Sequence, residues 1–141
     1  MKVPELLRES AITSWDESAD VLVIGYGGAG ASAAVEARRG DADVLVIEGA
    51  AGGGGATSIA GGHVYMGGGT PVQIACGFED TAEEMYKYLD ALTPDPDERK
   101  LRLYCEESVR HFHWLEGNGV PFERSYYPGK AAMQPGTECL I

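Results

Sequence analysis

Three glycines and one glutamate have the spacing of a dinucleotide-binding site. Gly25, Gly27 and Gly30 form a Gly-x-Gly-x-x-Gly motif, and Glu48 lies 18 residues beyond the last of them. In such a motif the first glycine permits a tight turn, the second lets a diphosphate approach the backbone, and the third lets a helix pack close to a sheet. Free N–H groups at the start of that helix stabilise the diphosphate charge. The glutamate would accept hydrogen bonds from ribose hydroxyls and disfavour a cofactor with a 2′-phosphate.

The segments around the motif predict the strand–helix–strand unit that it needs. Val21–Ile24 and Val44–Ile47 are short apolar runs, typical of parallel strands that are buried on both faces. Residues 31–39 are rich in alanine, have two arginines at their end and precede Gly40, which predicts a helix. The connection is expected to be a right-handed crossover. The predicted fold class is therefore α/β, a partial Rossmann-like domain with a βαβ unit that binds a dinucleotide.

The glycine-rich segment after Glu48 favours FAD over NAD. Ten of the 21 residues from 49 to 69 are glycine, and the alternation of strands and helices does not resume there. A backbone without side chains can pass close to a long, flat cofactor and donate N–H groups along it. The hydroxyls of Thr57 and Ser58 add donors for phosphate or ribityl oxygens. The residues expected to contact the cofactor are Gly25, Gly27, Gly28, Ala29, Gly30, Glu48, Thr57, Ser58 and Gly62.

Two longer helices are predicted after the glycine-rich segment. Thr81 and Glu84 have the pattern of a capping box ahead of an amphipathic helix. A second helix is predicted from about residue 97 to residue 116. The chain is thereby divided into a lead-in at 1–19, the N-terminal part of an FAD-binding domain at 20–118, and a loop-rich approach to an absent substrate domain at 119–141.

Charge and cysteine content argue against several classes of function. The 141 residues include 22 acidic and 11 basic side chains, a formal net charge of −11. Such a chain has little to attract a nucleic acid or an anionic membrane surface. No apolar run is long enough to span a membrane, and no secretion signal is recognisable. The spacing of Cys76, Cys105 and Cys139 indicates neither a disulfide framework nor a metal site, so a cytoplasmic protein is expected.

Several segments resemble the succinate dehydrogenase/fumarate reductase flavoprotein superfamily. They are residues 14–16, 19–30, 48 and 55–62, while residues 67–71 and 76–80 resemble in particular the soluble 3-ketosteroid dehydrogenases of that superfamily. The resemblance covers about residues 14–141, nearly the whole chain. It covers only the N-terminal part of the family, whose members are several times longer.

The resemblance implies a flavin that takes or gives a hydride at a carbon–carbon bond beside a carbonyl. Respiratory members attach the flavin to the histidine of a His-Thr sequence, but here Ala56 precedes Thr57, so non-covalent FAD is implied. In the steroid branch a tyrosine abstracts a proton or polarises the ketone. Tyr127 is the first candidate for this role and Tyr126 the second. The implied substrate is a small molecule, a ketosteroid or an enoate, while the redox partner is not indicated.

The resemblance also implies that the substrate domain would follow Ile141 in a longer chain. The 141 residues therefore look like a partial sequence, and we expect them to bind FAD weakly if at all and to have no turnover by themselves. Two alternatives remain open. An NAD-binding dehydrogenase domain would lose NAD affinity on Glu48→Ala substitution, and a non-catalytic adenine-nucleotide-binding remnant would bind ADP about as well as FAD.

Overall fold

The computed structural model describes residues 7–129 and residue 140. The chain divides into two compact units, Met1–Gly62 and His63–Ile141. The first unit contains the glycine motif and Glu48, and the second contains Tyr126 and Tyr127. All the residues expected to contact the cofactor belong to the first unit. The predicted site therefore depends on how the strands, helix and turns of this unit are arranged.

A parallel strand pair joined by a helix forms the centre of the first unit. Strand β1 (Val21–Ile24) is followed by helix α1 (Gly28–Arg39) and strand β2 (Val44–Ile47). The strands pair in register, with Val21 opposite Val44 and Ile24 opposite Ile47. The predicted α/β class and the βαβ unit are confirmed. Helix α1 begins three residues earlier than residues 31–39 predict, because the last motif glycine already belongs to its first turn.

The prediction that both strands are buried on both faces is wrong. Helix α1 packs against both strands, and Val23 is 8% exposed. In contrast, the side chains of Leu22, Ile24 and Ile47 are 55%, 79% and 44% exposed. The strand sequence is that of a fully covered sheet, but among the described residues only these two strands form it, with one helix packed on them. An apolar strip of the sheet is therefore exposed to solvent.

The described part of the second unit is helical. It contains α2 (Pro71–Ala75), α3 (Ala82–Leu92), α4 (Glu98–Glu106) and α5 (Ser108–Gly117). Half of the predicted capping box is formed at the start of α3: the hydroxyl of Thr81 accepts a hydrogen bond from the Glu84 N–H, at 3.1 Å, but the N–H of Thr81 donates to Asp80. The Glu84 carboxylate pairs with Lys87, at 2.6 Å. No helix in the described part of the chain is long and apolar enough to cross a membrane.

The single helix predicted from residue 97 to 116 is two helices. Glu107 interrupts it between α4 and α5. Directly after the break, the buried hydroxyl of Ser108 accepts a hydrogen bond from the N–H of Gly67, at 3.0 Å. This bond joins residues that lie 41 positions apart in the chain, so the helical periodicity could not predict the break. Cys105 and Phe112, on either side of it, are each only 2% exposed, and in the described part of the unit they belong to the core together with Val72 and Met85.

Candidate flavin-binding site

The motif turn leaves open space in front of its backbone. Gly25 has a φ of +99°, a conformation that other residues rarely adopt. A Cβ added to Gly25 would meet no atom within 4 Å, and one added to Gly27 would meet only the Cα of Gly55, at 3.9 Å. The glycines therefore expose the backbone of the turn on its outer side. This is the arrangement that lets a diphosphate approach the chain closely.

Helix α1 starts at this turn without a side-chain cap. Its N-cap residue is Gly27, and its first turn contains no acidic residue. The first helical hydrogen bond runs from the Ala31 N–H to the Gly27 carbonyl, at 2.9 Å. The preceding N–H groups of Ala29 and Gly30 therefore have no acceptor within the helix. Together with the helix dipole, they provide positive charge for an anion at the motif.

Gly30 brings helix α1 into contact with strand β1. A Cβ at this position would overlap the carbonyl oxygen of Gly25 and lie 3.3 Å from Cγ1 of Val23. The nearest atoms belong to the backbone, which cannot rotate away as a side chain could. Only glycine fits here, in agreement with the packing role that the motif assigns to its third glycine.

Glu48 accepts two backbone hydrogen bonds, one of them from the motif turn. The N–H of Tyr26 donates to Oε2 at 2.7 Å, and the N–H of Ala50 donates to Oε1 at 2.8 Å. These bonds, the one from Tyr26 foremost, hold the pKa of the Glu48 carboxyl below its ordinary value. The side chain is exposed, and each carboxylate oxygen has a second lone pair. The charged carboxylate can therefore still accept hydrogen bonds from ribose hydroxyls.

The start of the glycine-rich segment lies against the motif turn. The N–H of Gly54 donates to the carbonyl of Tyr26 at 2.5 Å, and Gly27 and Gly54 form an isolated parallel bridge. A short 3₁₀ turn, Gly55–Ile59, follows directly. The segment is thereby placed beside the start of helix α1, where a bound cofactor would pass.

The two hydroxyls of this 3₁₀ turn have different surroundings. A Cβ added to Gly28 would lie 2.8 Å from Oγ1 of Thr57, so the threonine packs against the first turn of α1. The hydroxyl of Ser58 donates to the carbonyl of Gly55 at 2.9 Å. In this conformation Ser58 offers a ligand only acceptor lone pairs. Gly62, at the end of the unit, has a φ of +81° and open space where a Cβ would stand.

The glycines from 67 to 69 have another role than the predicted one. The N–H of Gly67 donates to Ser108, that of Gly68 to Asp80 at 2.7 Å, and that of Gly69 to Gln73 at 3.2 Å. All three donors are therefore used within the second unit. The expectation that the whole glycine-rich segment donates N–H groups to a cofactor is wrong for this part of it.

The two candidate tyrosines are held at the end of the described second unit. The ring of Tyr126 packs edge-on against Phe78, with the ring centroids 5.1 Å apart. The N–H of Tyr127 donates to the carbonyl of Leu140 at 2.8 Å, and its ring lies on Gly129. Tyr126 and Tyr127 are 49% and 41% exposed. No group of His, Cys, Asp and Glu side chains suited to a metal ion occurs among the residues that the structure describes.

The motif turn, the uncapped helix and the adjacent carboxylate define a dinucleotide-binding domain of the Rossmann type. Residues 20–137 match the family described as FAD binding domain, and the chain belongs to that family. This confirms the resemblance to FAD-dependent oxidoreductases and identifies FAD as the cofactor. The open turn and the free helical N–H groups fit the diphosphate, and Glu48 fits the adenosine ribose. When bound, FAD would supply the isoalloxazine ring that exchanges a hydride with a substrate.

Relatives of the chain include steroid dehydrogenases and a reductase. It is 39% identical over 122 residues to the 3-oxo-5-alpha-steroid 4-dehydrogenase of Comamonas testosteroni, covering 86% of this chain and 22% of the relative. It is 38% identical over 97 residues to the acrylate reductase flavoprotein subunit of Shewanella woodyi, covering 67% of this chain and 19% of the relative.

A solved structure has the same local fold. It is the 3-ketosteroid-delta4-(5alpha)-dehydrogenase of Rhodococcus jostii RHA1 in complex with 4-androstene-3,17-dione. The TM-score is 0.78 and the identity 52%, over 84% of this chain and 25% of that chain. The 141 residues thus span about a quarter of the length of the proteins they match.

Proposed function

We propose that the chain is the FAD-binding portion of a flavin-dependent oxidoreductase that acts on a carbon–carbon bond beside a carbonyl. The carrying observation is the motif turn, whose backbone has open space in front of Gly25 and leads into the uncapped start of α1, with Glu48 hydrogen-bonded to Tyr26 of the turn. Two named relatives support the reaction type, because a 3-oxosteroid and acrylate both contain a carbonyl group. The relatives are about four times longer, so the reaction would need residues that the present chain does not include.

Each candidate residue has a distinct role in this proposal. The backbone at Gly25, Gly27, Gly28, Ala29 and Gly30 binds the diphosphate, and Glu48 binds the ribose. Thr57 and Ser58 contact the phosphate or ribityl oxygens, while Gly62 lets the backbone pass close to the cofactor. Ser58 does this as an acceptor, or rotates its hydroxyl away from Gly55 to donate.

Tyr127 is our candidate for the proton transfer that accompanies hydride exchange, and Tyr126 is the second candidate. An exposed phenol beside a bound ketone can donate a hydrogen bond or take a proton. The substrate class is a ketosteroid, with an enoate as the second possibility. In a chain of the relatives' length, Tyr127→Phe should lower kcat and leave KM almost unchanged. Tyr126→Phe should leave kcat near the native value. Equal kcat values for native and Tyr127→Phe proteins would reject Tyr127 as the proton donor or acceptor.

The thiols of the chain support a reducing compartment. Within the described residues, Cys76 and Cys105 are free, and burial raises the pKa of the Cys105 thiol. Buried free thiols are stable where glutathione keeps cysteines reduced. We therefore propose a cytoplasmic location.

A ligand titration tests the cofactor assignment. Isothermal titration of the chain with FAD, ADP, NAD and NADP should give measurable affinity for FAD and ADP. NADP should bind most weakly, because the carboxylate of Glu48 would repel its 2′-phosphate. NAD binding that is tighter than FAD binding would favour the dehydrogenase alternative. Equal affinities for ADP and FAD, with no flavin-dependent activity in a chain of the relatives' length, would favour the non-catalytic alternative.

A further inference from the structure

We propose that the side chain of Tyr26 positions the glycine-rich segment for cofactor binding by packing on Gly53. The proposal rests on the FAD-binding function described above. Tyr26 stands between the first two glycines of the motif, where the motif accepts any residue. A Cβ added to Gly53 would overlap Cδ1 of the Tyr26 ring and lie 2.6 Å from its Cε1. The ring therefore lies directly on the backbone of Gly53, and we refer to this packing as the Tyr26–Gly53 contact.

Backbone hydrogen bonds fix Tyr26 on both sides of this contact. Its N–H donates to Glu48, and its carbonyl accepts from the N–H of Gly54, the residue after Gly53. One residue thus holds the ribose-binding carboxylate and the start of the glycine-rich segment. The hydrogen bonds would form with any residue at this position, but the ring contact requires an aromatic side chain here and a glycine at position 53.

The location of the contact indicates a role in binding more than in stability. Tyr26 is 48% exposed, and among the described residues of this unit the buried hydrophobic one is Val23, on strand β1. A glycine-rich segment loses much conformational freedom when a ligand orders it. Packing the ring on Gly53 orders the start of the segment before the ligand arrives, which improves affinity by preorganisation.

Neighbouring glycines provide a matched pair of variants. A Cβ at Gly53 meets the Tyr26 ring, whereas a Cβ at Gly52 meets no atom within 4 Å, and neither residue has a positive φ. We expect Gly53→Ala to weaken ADP binding about tenfold and Gly52→Ala to leave it unchanged. Tyr26→Ala should weaken binding about threefold. Adding Tyr26→Ala to Gly53→Ala should restore affinity to the level of Tyr26→Ala alone, because the overlap is removed.

Isothermal titration of the full 141-residue chain with ADP measures these affinities, and thermal unfolding of each variant separates binding from stability. A ligand-free readout is the Gly53 Hα resonance, which the ring should shift upfield in the native chain but not in Tyr26→Ala. Equal ADP affinities for Gly52→Ala and Gly53→Ala would overturn the proposal. It would also be overturned if the variants lost ADP affinity in proportion to their loss of melting temperature. Absence of ADP binding in the native chain would instead overturn the cofactor site itself.

Discussion

Gly30 is the position where helix α1 and the motif turn come into closest contact. The sequence motif predicts this role correctly, because the third glycine of the motif is the one that allows close packing between helix and strand. Tyr26 has no such signal. Its importance depends on Gly53, 27 positions further along the chain, and the motif places no demand on its residue type. Sequence patterns thus identify the residues whose role is shared by a family, while a role specific to this chain requires coordinates.

Gly30→Ala should destabilise the chain by about 1–3 kcal/mol. In a helix, alanine is favoured over glycine by only about 1 kcal/mol, and the overlap with the Gly25 carbonyl outweighs that gain. Urea denaturation measures the difference in the free energy of unfolding. Gly49→Ala is the control, since a Cβ there meets no atom within 4 Å, and it should change stability by less than about 0.5 kcal/mol. Equal stabilities of the two variants would contradict the close approach of α1 to β1.

Glu48→Gln should reduce the loss of stability in acid. The fold lowers the pKa of Glu48, so the charged carboxylate stabilises the native state. That contribution is complete above the ordinary glutamate pKa of about 4.3 and is lost as the pH falls through the lowered native pKa. The unfolding free energy, measured from pH 7 to pH 3, should therefore fall less steeply in Glu48→Gln than in the native chain.

The exposed Glu17 supplies the control for this comparison. Glu17→Gln should reproduce the native dependence of stability on pH, because both proteins keep the Glu48 carboxylate and its two backbone donors. If the Glu48→Gln and native curves run parallel, the hydrogen bonds from Tyr26 and Ala50 do not contribute to stability in solution.

The elements of this chain are predictable where a local pattern determines them. Strands β1 and β2, helix α1 and the Thr81 cap of α3 each follow from residues within a few positions of one another. Helix α2 has a local signal too, the capping box of Thr70 and Gln73, but the preceding glycines suggest a cofactor-lining segment instead of a helix. Directly after the break between α4 and α5, Ser108 accepts a hydrogen bond from the distant N–H of Gly67. Long-range hydrogen bonds of this kind leave no periodic signal in the sequence.

Asp80 should stabilise the junction between α2 and α3. Its Oδ2 accepts from the N–H of Gly68 and from Nε2 of Gln73, at 2.7 and 2.8 Å, and Oδ1 accepts from the N–H of Thr81 at 2.8 Å. Asp80→Ala removes the acceptor for all three donors, and we expect a loss of about 2–3 kcal/mol in the free energy of unfolding.

Asp90 is the matched control on the exposed surface of α3. Asp90→Ala should change stability by less than about 0.5 kcal/mol, because a surface substitution leaves no buried donor unpaired. Chemical denaturation followed by the circular dichroism of the helices measures both variants. If Asp80→Ala lowers the free energy of unfolding no more than Asp90→Ala does, water replaces the Asp80 carboxylate as acceptor without loss of stability.

Fold class and cofactor could be predicted for the chain as a whole, but burial could not. The apolar strand sequences are those of a sheet with both faces covered, and they predict burial that depends on elements absent from the described residues. Among the described residues only α1 packs on the two strands, and Leu22, Ile24 and Ile47 stay exposed. The hydrophobic pattern of a strand predicts the burial for which the strand is suited. The burial that is observed depends on which elements pack against the strand.

The exposed sheet face leads to a prediction about the isolated chain, which should bind FAD reversibly and weakly. In the proposed site the first unit would supply contacts for the diphosphate and the ribose, while a strip of its apolar sheet is exposed to water. A binding site that remains open to water on one side excludes solvent poorly and loses its ligand quickly. Recombinant protein incubated with FAD and then desalted should keep little flavin absorbance, whereas titration should detect binding before desalting. Stoichiometric flavin that survives desalting would mean that these 141 residues enclose the cofactor by themselves.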